Sequence, residues 1–342
     1  MKVIVKTFVA VIAAAAALVG CAEMGSADVE RGVEDCADGK LSVRMKFDDV
    51  LAKSGVSDYL VASESEKTVF KVAVLVFDKA SGMLNASKQI EELPGECIMT
   101  LPVGEKLIYA VVNGPDLGAV TTLGQFMAMK DVLVEGGFDS KGLTLIGSAV
   151  CDVKSGETAE PEIVVSWLVS RVVLKNITCN VAQQYGGMTV DCVYLGNANT
   201  IQNFSGNVDG MVNPDGYADK EKSVQIGKNG KTGECSDYLY REIGAEISVG
   251  ETVGEPYHMY CQPNDTEKYT CMYILATIGG VQYYYRVPLD KSLIAGSTCS
   301  VDLTIANLGS LVPPSEDYQN GAVQAVITIG GWTAGNSYVA EF

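Results

Sequence analysis

The sequence predicts a mainly β protein made of two β-sandwich domains with one or two short helices. Roughly a dozen short stretches alternate apolar and polar residues with the period of a strand. One stretch, starting at Thr122, carries the cap spacing and apolar face of a helix. The chain has 342 residues, 47% hydrophobic and 20% charged, which is globular and long enough for two cores. One helix among many strands argues for sandwiches.

Met1–Val19 has a basic start (Lys2, Lys6) and an apolar run from Phe8 to Val19 that is too short to span a bilayer. It ends in Leu18-Val19-Gly20-Cys21, which resembles the lipobox of bacterial lipoproteins. Residues 1–20 read as a signal peptide, Cys21 as the lipidation site and residues 21–40 as a tether. More than one acyl chain on Cys21 would hold firmly. The formal charge is −17; removing residues 1–20 takes away Lys2 and Lys6 and no acid, which deepens it to −19. A surface this acidic repels phosphate backbones, so nucleic acid is not an expected partner.

Leu41–Phe47 alternates, with Leu41, Val43, Met45 and Phe47 on one face. Asp48–Lys67 is polar and reads as a long exposed loop. Lys71–Phe77 is apolar on both faces, as in a strand covered on both sides. Cys97–Leu101 and Leu107–Asn113 are further strands. Thr122 and Gln125 have capping-box spacing, and the helical face runs to Leu133. Leu143–Ala149 is a strand and Lys154–Pro161 a polar linker, so the first domain is placed at residues 41–160 and the second at 161–342.

The second half opens on Val164–Ile177, β-branched throughout, and continues with Thr189–Leu195. Gly196–Lys231 reads as long loops. Met272–Ile278 and Gln282–Leu289, joined by Gly279-Gly280, form the strongest hairpin signal. Cys299–Ile305 is a strand. The terminal segment 322–342 has Val323, Ala325, Ile327 and Ile329 on one face, then Trp332, then Tyr338 and Phe342. It is a strongly apolar tail that wants a partner sheet.

No catalytic constellation emerges. The nucleophile, metalloprotease and phosphate-loop patterns are missing, and the lone histidine, His258, lies in an aromatic, apolar setting. The chain is expected to be no enzyme and to need no cofactor or metal. Asp209, Asn213, Asp215 and Asp219 lack the regular calcium-loop pattern. Nine cysteines remain beyond Cys21, with no CxxC; they read mostly as small core residues, with Cys179/Cys192 and Cys261/Cys271 at hairpin-like separations that allow pairing. Tyr283-Tyr284-Tyr285 invites a glycan-platform reading, but alternation turns at least one of these rings into the core.

Several stretches, in order, resemble the fimbrillins, the type V pilin family of Bacteroidota. They are the lipobox at Cys21, KVAVLVFD at Lys71–Asp78, LPVGEKLIYAVVNGPD at Leu101–Asp116, the TTLGQF helix start and SRVVLKNI at Ser170–Ile177. GGVQYYYRVPL at Gly279–Leu289, VDLTIANLGS and the terminal VITIGGWTAGNSYVAEF complete the series. The resemblance implies two transthyretin-like, Greek-key sandwiches, export as an outer-membrane lipoprotein and a place in a surface fimbria. It also implies that a trypsin-like maturation protease cuts after the first strand. The displaced strand would be Leu41, Val43, Met45 and Phe47. The donor filling the resulting groove would be a neighbour's Val323, Ala325, Ile327, Ile329, Trp332, Tyr338 and Phe342. Implied partners are identical or homologous pilins, the protease, anchor and tip pilins, and host or bacterial surface ligands. The family's usual arginine at the cut is missing, since none lies between Arg44 and Arg171. Lys53, before Ser54, is the best candidate and Lys67 the fallback. A non-polymerising surface adhesin or glycan-binding module is the competing reading.

Overall fold

The computed structural model describes residues 38–47, 61–91, 97–133, 141–205, 238–264, 270–289, 293–311, 323–331 and 339–341. Its first segment serves two sheets. β1 (Asp38–Ser42) and β2 (Arg44–Phe47) are one extended stretch divided at Val43. Leu41, Val43 and Met45 all turn inward and are buried, as the alternation requires. The polar stretch expected to be an exposed loop is only partly so. Residues 48–60 lie outside the description, while Ala62 and Glu66 are buried.

β3 (Val72–Asp78) turns through Asp78–Gly82 into β4 (Leu84–Ile90). The Asp78 carboxylate accepts from the Ser81 N–H and hydroxyl, and Gly82 has φ +69°, where a side chain would be strained. β5 (Ile98–Pro102) and β6 (Gly104–Val112) follow. α1 (Leu123–Met127) starts on the expected capping box: Thr122 Oγ1 accepts the Gln125 N–H at 3.2 Å and Gln125 Oε1 accepts the Thr122 N–H at 3.3 Å. The expected helical face to Leu133 is not realised. Lys130–Val132 is instead strand β7, drawn off by pairing with Ile201–Asn203, so a tertiary ladder overrides local propensity.

β8 (Leu145–Val153), β9 (Thr158–Ala159) and β10 (Glu162–Trp167) come next, so the expected linker at 154–161 contains a short strand. The run Val164–Ile177, read as one stretch, is divided between sheets after Trp167, and β11 (Ser170–Cys179) belongs to the second half. β12 (Gly187–Gly196), β13 (Ile201–Asn203), β14 (Tyr240–Ser248), β15 (Thr252–Val253) and β16 (Tyr257–Cys261) follow. β17 (Cys271–Ile278) and β18 (Val281–Pro288) form the expected hairpin, with Gly279 and Gly280 at φ +59° and +80°. β19 (Ser297–Ile305), β20 (Val323–Gly331) and β21 (Val339–Glu341) complete the order.

The first half has a seven-stranded sheet, β21-β2-β10-β8-β6-β3-β4, and a three-stranded one, β5-β1-β9. They share a core containing Leu41, Val74, Val76, Ile108, Ile163 and Trp167. β3 is covered on both faces, as its composition predicts, because Leu75 and Phe77 enter a smaller cluster on the other side. There α1 inserts Phe126, with ring centroids 4.9 Å from Tyr109, 5.8 Å from Phe77 and 5.1 Å from Phe204.

The second half packs the sheet β14-β12-β17-β18 against β15-β11-β19-β20, with β16 also paired to β11. Val172, Val190, Ile274, Tyr285 and Val301 are in its core. Tyr284 and Tyr285 are both buried, which leaves a glycan platform with one of its three rings. Neither hairpin-spaced pair, Cys179/Cys192 or Cys261/Cys271, is joined by a disulfide.

Candidate functional site: the seat of the first strand

The first strand is held along both sides. On one side Lys40 and Leu41 lie opposite Thr158 and Ala159, and Arg44 to Phe47 lie opposite Glu162 to Val165. Both ladders are parallel and share one register, so β1–β2 runs unbroken beside residues 158–165. The Arg44 N–H donates to Pro161 O at 3.1 Å between them. On the other side β5 pairs antiparallel with β1 from Asp38 to Ser42. Burying Leu41, Val43 and Met45 contributes about 1.5–3 kcal/mol each. Close packing adds a steric condition: a Cβ at Gly39 would meet Lys154 O at 2.4 Å. Outside, Arg44 and Lys46 form ion pairs with Glu160 (3.1 Å) and Glu162 (2.5 Å), half-exposed and worth little.

The C-terminal tail has partners in its own chain. β20 pairs antiparallel with β19 over nine positions, from Ile305 opposite Val323 to Ser297 opposite Gly331, with no register shift. Ala325 and Ile327 pack on the second core, the face that alternation assigns to them. The tail read as wanting a partner therefore has one at home. β21 then crosses to the first half and pairs with β2, with Lys46, Met45 and Arg44 opposite Val339, Ala340 and Glu341.

A buried ionic cluster pins the segment that leads into β3. Glu66 and Arg171 are both fully buried, and Arg171 Nη1 lies 3.1 Å from each Glu66 carboxylate oxygen. The Tyr260 hydroxyl donates to Oε1 at 2.6 Å and the Ser63 N–H to Oε2 at 2.6 Å; His258 Nδ1 is 3.5 Å from Oε1. Arg171 Nε donates to Thr298 Oγ1, and Trp167 Nε1–H to Glu66 O at 3.2 Å. Burial pushes the Glu66 carboxyl up, but His258, the Arg171 charge, Tyr260 and the Ser63 N–H outweigh it and hold it at about 2. Glu66 thus ties the residue 61–69 segment to β11 and β16 through its carboxylate and to β10 through its carbonyl, and Arg171 extends the link to β19.

That cluster bears on the expected cut sites. Lys53 and Ser54 lie outside the described residues, as do Cys21, Trp332, Tyr338, Phe342 and the acidic group Asp209 to Asp219. Lys67 is described, next to Glu66. Its N–H donates to Ser63 O and Glu64 O, and its half-buried amine pairs with Glu64 at 2.7 Å. A protease needs an extended, accessible chain, and Lys67 offers a tight hydrogen-bonded turn instead. Among the described residues no cluster of His, Cys, Asp or Glu is arranged to hold a metal. The Glu66–Arg171 pair itself is absent from the sequence reading. Its one signal is an arginine inside the β-branched run VVSWLVSRVVLKNI, since charge within a core strand demands a buried partner.

The arrangement defines a class: a two-core β protein whose first strand is seated between its own middle and last strands. No protein-family model and no curated protein sequence matches the chain. Solved structures do. A candidate cell adhesion protein from Bacteroides eggerthii aligns with TM-score 0.61 at 15% identity, covering 86% of this chain and 96% of that one. One from Parabacteroides distasonis aligns at TM-score 0.59 and 19% identity, covering 86% and 97%. A fimbrilin from Porphyromonas gingivalis aligns at TM-score 0.59 and 14% identity, covering 87% and 99%. At such identities the likeness is one of fold: this chain is folded as the fimbrillins are.

Proposed function

We propose that this protein is a structural subunit of a cell-surface fimbria, the stalk pilin rather than an enzyme. In this reading it is exported as a lipoprotein through Cys21 to the outer membrane. A protease cuts between residues 48 and 60, with Lys53 the favoured position. Loss of β1–β2 then opens a groove beside β10, and the tail of an identical or homologous subunit fills it. Strand addition supplies main-chain hydrogen bonds and side-chain pockets together. A head-to-tail version cannot close on itself, so it grows as a filament. Anchor and tip pilins would end the polymer.

The observation that carries this reading is the seat of the first strand. Three inward side chains and ladders on both sides make it an integral part of the core, yet residues 48–60 are all that join it to the segment pinned at Glu66. Its removal leaves an apolar slot between Met99, Leu101, Ala159, Ile163 and Val165 that water disfavours.

Limited trypsin digestion of the purified precursor, followed by electron microscopy, tests it. Filaments are expected after nicking, and few or none once residues 322–342 are deleted. Monomers under every protease condition would sink the proposal. The fold shared with candidate cell adhesion proteins favours a second reading, a surface lipoprotein that binds host or bacterial ligands without polymerising. Retention on a glycan column by a permanently monomeric protein would favour it.

A further inference from the structure

The tail is held in two unequal ways. β20 has a nine-position ladder with β19 and a foothold on the second core. β21 is three residues long, and its strand partner among the described residues is β2. β5 covers one edge of the first strand as far as Ser42, and β21 covers the same edge from Arg44 to Lys46. The last strand thereby completes the seat of the first, and the first strand is what the last one is bonded to.

We propose that β2 is the lock on β21. Loss of the first strand releases β21 in the same event that opens the groove, while β20 stays on β19. This rests on the removable first strand proposed above. An intact subunit can then neither receive a strand nor offer one, because its groove is full and its tail end is occupied by its own β2. A three-residue strand that loses its ladder partner frays readily. The chain after Gly331 can span roughly 35 Å when extended, at ~3.3 Å per residue, which is enough to reach a second copy. β20, still laddered to β19, is then the fixed base from which β21 enters the groove of a second copy.

Carboxypeptidase release of Phe342, followed by mass spectrometry at concentrations where light scattering shows monomers, reads the lock directly. Three samples are compared: the intact full-length precursor, the same protein nicked by trypsin and shown by gel filtration to have lost its N-terminal peptide, and intact Ala340→Pro. Proline cannot serve a ladder as donor, so this variant loosens β21 without touching β2. Release about tenfold or more faster in the nicked protein and in Ala340→Pro is expected. A nicked protein that has lost its peptide yet releases Phe342 at the intact rate overturns the proposal, as does Ala340→Pro behaving like the parent. Faster release without filaments at higher concentration supports the lock and counts against polymerisation. Filaments with unchanged release count against the lock alone.

Discussion

Glu66 and Asp131 are both buried carboxylates at places where the two halves meet, but different groups face them. Glu66 faces a buried guanidinium, a phenol, an imidazole and a backbone N–H. Asp131 accepts from the Thr144 hydroxyl at 2.8 Å and the Gln262 amide at 2.6 Å, with no cation in contact among the described residues. Burial raises the Asp131 carboxyl above its ordinary range, and its two hydrogen bonds and the Lys141 charge do not offset that. The same burial acting on Glu66 is overridden, and the group stays ionised down to about 2. Donated hydrogen bonds favour the carboxylate at both sites; Glu66 receives more of them, led by His258, and adds the Arg171 charge, so only there is the cost of burial outweighed.

The largest expected consequence follows from breaking the ion pair from one side. Arg171→Met should destabilise by about 3–5 kcal/mol, because Glu66 is left charged and buried. The double variant Arg171→Met/Glu66→Gln should recover part of that loss. Chemical denaturation of the single and double variants checks both, and full additivity would contradict the pairing.

Acid supplies the next effect. The Glu66 carboxyl is depressed when folded, so its contribution is present above the unfolded value, near 4.3, and is lost as pH falls toward 2. The loss should be on the order of 3 kcal/mol and should vanish in Glu66→Gln. Asp131 has the opposite sign: its raised value means that its contribution is present below the unfolded pKa, near 3.9, and is lost as pH rises through the folded one. Melting curves across pH for wild type, Glu66→Gln and Asp131→Asn separate the two.

Smaller changes should sharpen the contrast. Trp167→Phe removes the indole N–H donated to Glu66 O and should cost about 1 kcal/mol. Asp131→Asn should shift stability by about 1 kcal/mol or less, and in the favourable direction at higher pH. The Thr144 hydroxyl already lies 3.3 Å from Asn113 O, so it can turn to donate there and accept from the new amide.

Periodicity made much of the scaffold legible. Leu41–Phe47, Lys71–Phe77, the Gly279-Gly280 hairpin and the Thr122 cap follow from local chemistry, and the structure realises each of them. What escaped is set by distant partners. β7 takes residues that favour helix because Ile201–Asn203 lies beside them. β9 was hidden in a polar linker because it serves a sheet of three strands from one edge. The candidate site was half legible: the apolar faces of the first and last strands could be read, but their meeting could not. Arg44 and Glu341 lie at opposite ends of the chain, and no local pattern announces that they will be opposite one another. Glu66 likewise lies in a polar stretch that reads as an exposed loop, and spacing cannot tell which acid will be enclosed.

The free thiols provide a way to watch this molecule open. Burial pushes Cys97 up to about 11 and Cys261 and Cys299 up to about 12, so at neutral pH almost none of this sulfur is in its nucleophilic form. An alkylating reagent can reach it only during an excursion that parts the sheets. Cys97 lies against the first strand, its carbonyl accepting the Val43 N–H at 3.3 Å. Cys261 and Cys299 lie in the second core. Their labelling rates are therefore two clocks in one chain: one ticks when the first strand lifts, the other when the second half comes apart.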